Sequence, residues 1–103
     1  MIARTWTAQA RPDRLNKYLS GVEETVLPGL RAVSGYHGAT FLVRESETAE
    51  ILVITWWESE ETLVDLVGAD AEAAYVPDEI ARTVLRYDTR PSHYAVRIAD
   101  RRT

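Results

Sequence analysis

The stretch Ile51 to Trp57 reads Ile-Leu-Val-Ile-Thr-Trp-Trp, and it restricts the fold more than any other part of the chain. Successive side chains of a strand point to opposite faces, so a sheet with one wet face alternates apolar and polar residues. Here both alternating sets are apolar except at Thr55, which means that something must cover each face. Trp56 and Trp57, being adjacent, have to look in opposite directions. At 103 residues the chain fits one domain, residues 1–103, which buries about 60 to 70% of its unfolded surface by itself. Cover from a partner would add to that.

The rest of the chain supplies one of the two covers. Residues 1 to 9 alternate larger Ile2, Arg4 and Trp6 with smaller Ala3, Thr5 and Thr7, the period of a strand. After Pro12 and Asp13, the apolar residues Leu15, Tyr18, Leu19, Val22 and Val26 fall on one helical face, with Arg14, Lys17, Glu23 and Glu24 opposite. Pro28 lacks an amide donor and disfavours helix at Leu27, so the helix is expected to end or kink there, with Leu30 and Val33 on a short continuation. Ser34-Gly35 breaks it. Tyr36 to Arg44 reads as the second strand, Glu45 to Glu50 as a hairpin loop and Ile51 to Trp57 as the third strand. Ser59 suits a helix N-cap, with Glu60 and Glu61 at the positive end of the helix dipole and Leu63, Leu66 and Val67 as the buried stripe. Gly68 ends that helix, Ala71 to Tyr75 suggests another helical turn, and Pro77-Asp78-Glu79 the start of one more. The last strand is expected within Val84 to Ile98.

This order, strand, helix, strand, strand, helix, strand, predicts an α+β, ferredoxin-like fold with a four-stranded antiparallel sheet. Its helices cover only one face. The most direct cover for the other is the same sheet of a second copy, giving a two-fold homodimer.

Charge and composition narrow the partners. A formal net charge of −4, from 16 acidic and 12 basic residues, gives no long-range attraction to nucleic acid or to an anionic membrane. There is no cysteine, hence no disulfide, thiolate metal site or cysteine nucleophile. Neither a signal-like apolar stretch after Met1 nor a run of about 18 apolar residues is present, and the expected location is cytoplasmic.

The segment LPGLRAVSGYHGATFLVR, residues 27 to 44, followed by LVITWWESEETL, residues 52 to 63, resembles the antibiotic biosynthesis monooxygenase (ABM) family. That resemblance implies a dimeric α+β barrel built from two sheets, with a ligand pocket in each subunit between helices and sheet. It also implies, for quinone-forming members, oxidation of polycyclic phenols by molecular oxygen with no metal or flavin cofactor. The Trp-Glu-Ser at the end of the third strand puts Trp57 where those members carry a pocket tryptophan. Their pocket tyrosine and asparagine would fall near Leu63 and Val53, so the resemblance departs there. The haem-degrading branch uses a first-strand asparagine and a tryptophan and histidine on the second helix. Here the asparagine is Asn16, and the helix positions are Leu66 and Val76, which speaks against that reaction.

Several residues carry both a functional and a structural reading. His37 and His93 are the side chains that titrate near neutrality, so each is a candidate for the base that takes a phenolic proton, and each fits a structural role as well. Trp6, Trp56 and Trp57 offer flat surfaces for an aromatic ligand, or simply fill the core. Tyr18 and Tyr75 would frame a pocket from the two helical regions. Arg4 stands out in a half-buried strand, where it would pair with an acidic residue of a partner chain or stabilise an anionic substrate oxygen. The acidic cluster Glu58 to Glu61 reads as a solvated helix start, and two histidines without carboxylates at ligand spacing make no zinc site. Three readings follow: a cofactor-independent monooxygenase acting on a hydrophobic aromatic or polyketide-like molecule, a non-catalytic dimeric module that sequesters such a ligand, and a cyclase or isomerase on the same scaffold.

Overall fold

The computed structural model describes residues 1–68 and 74–102. Five strands form one antiparallel sheet: β1 (Ile2–Ala10), β2 (Tyr36–Glu45), β3 (Ala49–Trp57), β4 (Arg86–Tyr87) and β5 (Ser92–Ala95), in the order β2-β3-β1-β4 with β5 also paired to β1. With β4 and β5 sharing the edge position, this is the ferredoxin-like order. β1 and β3 lie at the centre, in register from Ile2 opposite Trp57 to Ala10 opposite Ala49.

The two faces of β3 are buried unequally. Ala49, Ile51, Val53, Thr55 and Trp57 are buried, whereas Leu52 is exposed and Ile54 and Trp56 are half-buried. Trp57 therefore faces the helices and Trp56 the opposite side, where Leu42 and Tyr94 also stand exposed. The strand-to-strand turn is tighter than the polar run Glu45 to Glu50 suggests. Arg44 pairs with Glu50 and Glu45 with Ala49 in the ladder, leaving 46–48 as the turn, and Arg44 closes on Glu50 across it at 2.8 Å.

The first helical segment passes the proline instead of stopping at it. Helix α1 (Leu15–Gly21), a π-helical turn (Val22–Val26) and helix α2 (Leu27–Arg31) run end to end. In the wider turn Leu27 donates its amide to the Val22 carbonyl, five residues back. The extra residue in the turn relieves the clash that the Pro28 ring would make with an α-helical carbonyl at Glu24. Thr25 donates its hydroxyl to the Gly21 carbonyl at 2.7 Å, a back-bond that favours bending at the same place. The expected kink is thus a π-turn, and the helix continues to Arg31.

The second helical segment is a 3-10 turn, Glu60–Leu63, followed by α3 (Val64–Val67), and it ends at Gly68 with φ 84°. Ser59 occupies the N-cap position but makes no side-chain capping bond. Its carbonyl instead accepts the Thr62 hydroxyl at 2.6 Å. The expected turn at Ala71 to Tyr75 lies largely outside the described residues. Pro77 does open a short helix, α4 (Asp78–Ala81).

The last strand is split. Asp88 carries Thr7 on its carboxylate, amide to Oδ2 at 2.9 Å and hydroxyl to Oδ2 at 2.7 Å, while its carbonyl accepts the Trp6 indole at 2.8 Å. Pro91, without an amide hydrogen, cannot join the ladder. The chain therefore loops out between β4 and β5.

Two packed clusters hold the helices on the sheet. One centres on Tyr18, Val22, Ile51, Val53 and Ile80, the other on Leu30, Trp57 and Leu63, and Val26 and Leu27 pack against both. Among the described residues, no helix is long and apolar enough to cross a membrane.

Candidate functional site

Between those two clusters the helices and the sheet do not close completely. A cleft of about 60 Å³ remains there, walled by Trp6, Tyr18, Phe41, Trp57 and Tyr75 with aliphatic side chains from the π-turn, α2 and β3. Among the described lining residues only Arg4 carries a charge, and Thr55 adds a hydroxyl. At roughly 15 Å³ per water by this measure, the cleft as it stands holds a few waters. A larger guest needs lining side chains to move, and Leu66 and Tyr75 are among those that are only half-buried.

The period of β1 delivers Arg4 and Trp6 to this side, and the register sets Arg4 opposite Thr55 of β3 and His93 of β5. The Arg4 residue is 6% exposed, and its Nη1 lies 2.8 Å from His93 Nε2. A guanidinium has no acceptor, so Nε2 must be the acceptor and the imidazole proton sits on Nδ1. Nδ1 in turn approaches Glu60 Oε1 at 3.2 Å. Three residues far apart in sequence thus form the chain Glu60, His93, Arg4, ending in the cleft.

Trp57 is completely buried. Its indole Nε1 donates to Thr55 Oγ1 at 2.7 Å, and its ring meets Tyr36 with centroids 5.3 Å apart and planes tilted by 59°. Trp6 is fixed by the Asp88 carbonyl and leans on Tyr87 at 6.0 Å. Burial pushes the Tyr18 phenol well above its ordinary pKa, so it stays protonated and offers a hydrogen bond instead of acting as a base. Tyr75 reaches in from the segment before α4, and its hydroxyl lies where a Cβ on Gly29 would come within 2.9 Å. Gly29 on α2 makes room for it.

Of the residues singled out in the sequence, the structure therefore gathers Arg4, Trp6, Tyr18, Trp57 and Tyr75 at one cleft. His93 stands behind Arg4. Leu63 is fully buried beside Trp57 and Leu30 and supports the cleft from below without lining it. His37 lies on the other side of the sheet, in a shallow groove with Trp56, Val96, Ile98 and Arg101, and is not brought to the cleft. Arg4 points toward the helices, away from the bare face on which a partner sheet would lie. Sequence reasoning missed Thr55 as the partner of Trp57 and Glu60 as the partner of His93. Thr55 was marked only as the polar exception in an apolar run, and nothing local ties Glu60 to a residue 33 positions on.

Every buried side-chain polar atom among the described residues has a partner, and no group of three or more metal-binding side chains is found among them.

A ferredoxin-like sheet with an aromatic-walled cleft under its helices defines the class of α+β domain to which the chain belongs. The family model for antibiotic biosynthesis monooxygenases matches residues 1–76, and the chain belongs to that family. A monooxygenase of Streptomyces coelicolor, crystallised with nanaomycin D, is similar in structure with a TM-score of 0.73 at 20% identity, covering 99% of this chain and 92% of that one. A crystal structure described as an antibiotic biosynthesis monooxygenase from Bacillus cereus gives 0.66 at 16% identity, over 99% and 96%. At these identities the likeness is one of fold. No curated protein matches the sequence.

Proposed function

We propose that this protein is a cofactor-independent monooxygenase that oxidises a hydroxylated aromatic molecule held in the cleft, and that it works as a homodimer whose second sheet covers the bare face. The observation that carries the reading is the cleft itself: apolar, walled by five aromatic rings, with Trp57 anchored at its floor. Family membership supports an oxygenase over other uses of such a cleft.

In this mechanism the guest reacts as its phenolate. The phenolate gives one electron to molecular oxygen, and the resulting superoxide and phenoxyl radical recombine at ring carbon. The peroxide takes up a proton, and loss of water leaves a carbonyl. One oxygen atom remains in the product and the other leaves as water, so a ring CH₂ becomes C=O. The chain's part is to exclude water from the radical pair, hold the ring on Trp57 and Trp6, and stabilise the anion.

The test is oxygen uptake with an anthrone-type phenol, corrected for spontaneous oxidation. The expected result is one oxygen per phenol, with a reduced rate in Trp57→Phe. Tight binding with no oxygen consumed would replace this reading with that of a sequestering module, and a product of unchanged mass with that of an isomerase.

A further inference from the structure

We infer that Tyr75 is the residue an aromatic guest displaces. In the free chain its ring bars the cleft between the β4–β5 loop and α2, with the hydroxyl end seated on Gly29, and the guest's ring takes the space that the tyrosine ring gives up. Tyr75 is thus a specificity-determining residue, because admission depends on a flat ring large enough to hold it out. This rests on the cleft being the ligand site.

Three observations converge. First, the cleft is too small as it stands. It measures about 60 Å³, whereas an apolar cavity that takes up benzene measures about 150 Å³, so a ring-sized guest requires a wall to move. Second, Tyr75 is the wall least firmly held. The other lining residues are buried, hydrogen-bonded or packed into one of the two clusters. Tyr75 is half-buried and belongs to neither cluster, and its hydroxyl makes no hydrogen bond among the described residues. Turning it out therefore breaks no polar contact and opens no core. Third, it lies across the cleft. The Ala74 amide donates to the Thr89 carbonyl at 3.2 Å, which ties the backbone to the β4–β5 loop, while the hydroxyl reaches α2, where a Cβ on Gly29 would come within 2.9 Å of the oxygen. Pro91 of that loop and Leu30 of α2 both line the cleft, so the side chain crosses from one wall to the other.

A tyrosine that merely walled a bound guest would behave in the opposite way. Removing a wall loses contact and weakens binding, whereas removing a bar frees the open form. With the open form a minority of about 10% or less, the apparent dissociation constant is raised about tenfold or more over that of the open cleft. Gly29 gives a second handle on the same equilibrium, since a methyl group there unseats the hydroxyl and leaves the ring in the molecule.

The experiment is calorimetric titration of the whole chain with 2-naphthol. The expected result is that Tyr75→Ala binds it about tenfold tighter than the wild type. Gly29→Ala, a change that a helix favours, binds it at least about threefold tighter because the hydroxyl no longer seats. Adding Tyr75→Phe to Gly29→Ala removes the colliding oxygen, leaves the new methyl an ordinary 3.8 Å from the ring, and returns the affinity toward that of the wild type. An effect of cleft volume alone gives no such return. Weaker or unchanged binding by Tyr75→Ala overturns the inference and leaves the cleft as the ligand site, and so does a Gly29→Ala variant that binds like the wild type. Failure of 2-naphthol to bind both the wild type and Tyr75→Ala overturns the cleft reading along with it.

Discussion

Thr55 and Trp57 stand two residues apart on the buried face of β3, and the indole Nε1 of Trp57 donates to the Thr55 hydroxyl at 2.7 Å. The bond lets a tryptophan with no exposed surface sit beneath an apolar cleft without an unmet donor. Removing only the acceptor therefore costs the full desolvation of that donor. Thr55→Val, nearly the same shape, should lose about 1 to 3 kcal/mol of stability, and Thr55→Ser should recover most of it. Urea unfolding followed by tryptophan fluorescence measures both, and a Thr55→Val variant as stable as the wild type would show that the bond contributes little.

Gly35 closes the turn from α2 into β2 with φ at 91°, and its carbonyl accepts the Glu58 amide at 2.8 Å. A Cβ placed there would lie 2.5 Å from Cγ2 of Thr62. Gly35→Ala should thus cost about 2 to 4 kcal/mol, from the backbone conformation and from the collision together. Thr62→Ser removes the colliding methyl and keeps the hydroxyl bond to Ser59. Added to Gly35→Ala, it should return the collision part and leave the backbone part, a non-additivity that a double-mutant cycle in urea reads directly.

The residues that were legible from sequence are those whose role is set by periodicity. The two-sided apolar run of β3 gives the sheet centre and the opposed tryptophans, because the strand period of two leaves no other arrangement. Leu15, Tyr18, Val22 and Val26 give the covering helix in the same way. That the kink before Pro28 takes the form of a π-turn was not legible, since such a turn leaves no pattern of its own in the sequence. The splitting of the last strand depends on Asp88 meeting Thr7 and Trp6, contacts that span 81 and 82 residues. The cleft divides likewise. Its aromatic walls could be named one by one, but the Glu60, His93, Arg4 chain exists only through the β1–β5 register and the position of the turn before α3. His37 was a candidate base beside the favoured His93, and its place in β2 puts it on the far side of the sheet.

Alkaline pH should weaken the fold through Tyr18. Its pKa is raised by burial, so in the folded state the phenol stays protonated where the unfolded chain, near pH 10, has begun to release its proton. The stability it contributes is present in full below about pH 10 and falls as pH rises beyond it, by about 1.4 kcal/mol per pH unit for this one group. Tyr36, also raised by burial although the Arg31 charge opposes this, adds a loss in the same direction. Urea midpoints at pH 8 and pH 11 should therefore lie closer together in Tyr18→Phe than in the wild type. Equal spacing would mean that the buried phenol does not hold its proton.

The bare face of the sheet makes the last prediction. Ile54 sits at its middle, paired with Thr5 of β1 on one side and Thr40 of β2 on the other, and Leu42, Leu52 and Trp56 surround it on the same face. In the proposed homodimer this is the centre of the seam. Ile54→Lys would then bury two unpaired ammonium groups against each other, at about 3 kcal/mol or more apiece, which weakens association by roughly four orders of magnitude. Sedimentation velocity at micromolar concentration should show a dimer for the wild type and a monomer for the variant. The helix-side core lies on the opposite face of β3, so the variant should keep its native circular dichroism in the far ultraviolet. A wild-type protein that sediments as a monomer would remove the seam, and a variant that remains a dimer would move it to another surface.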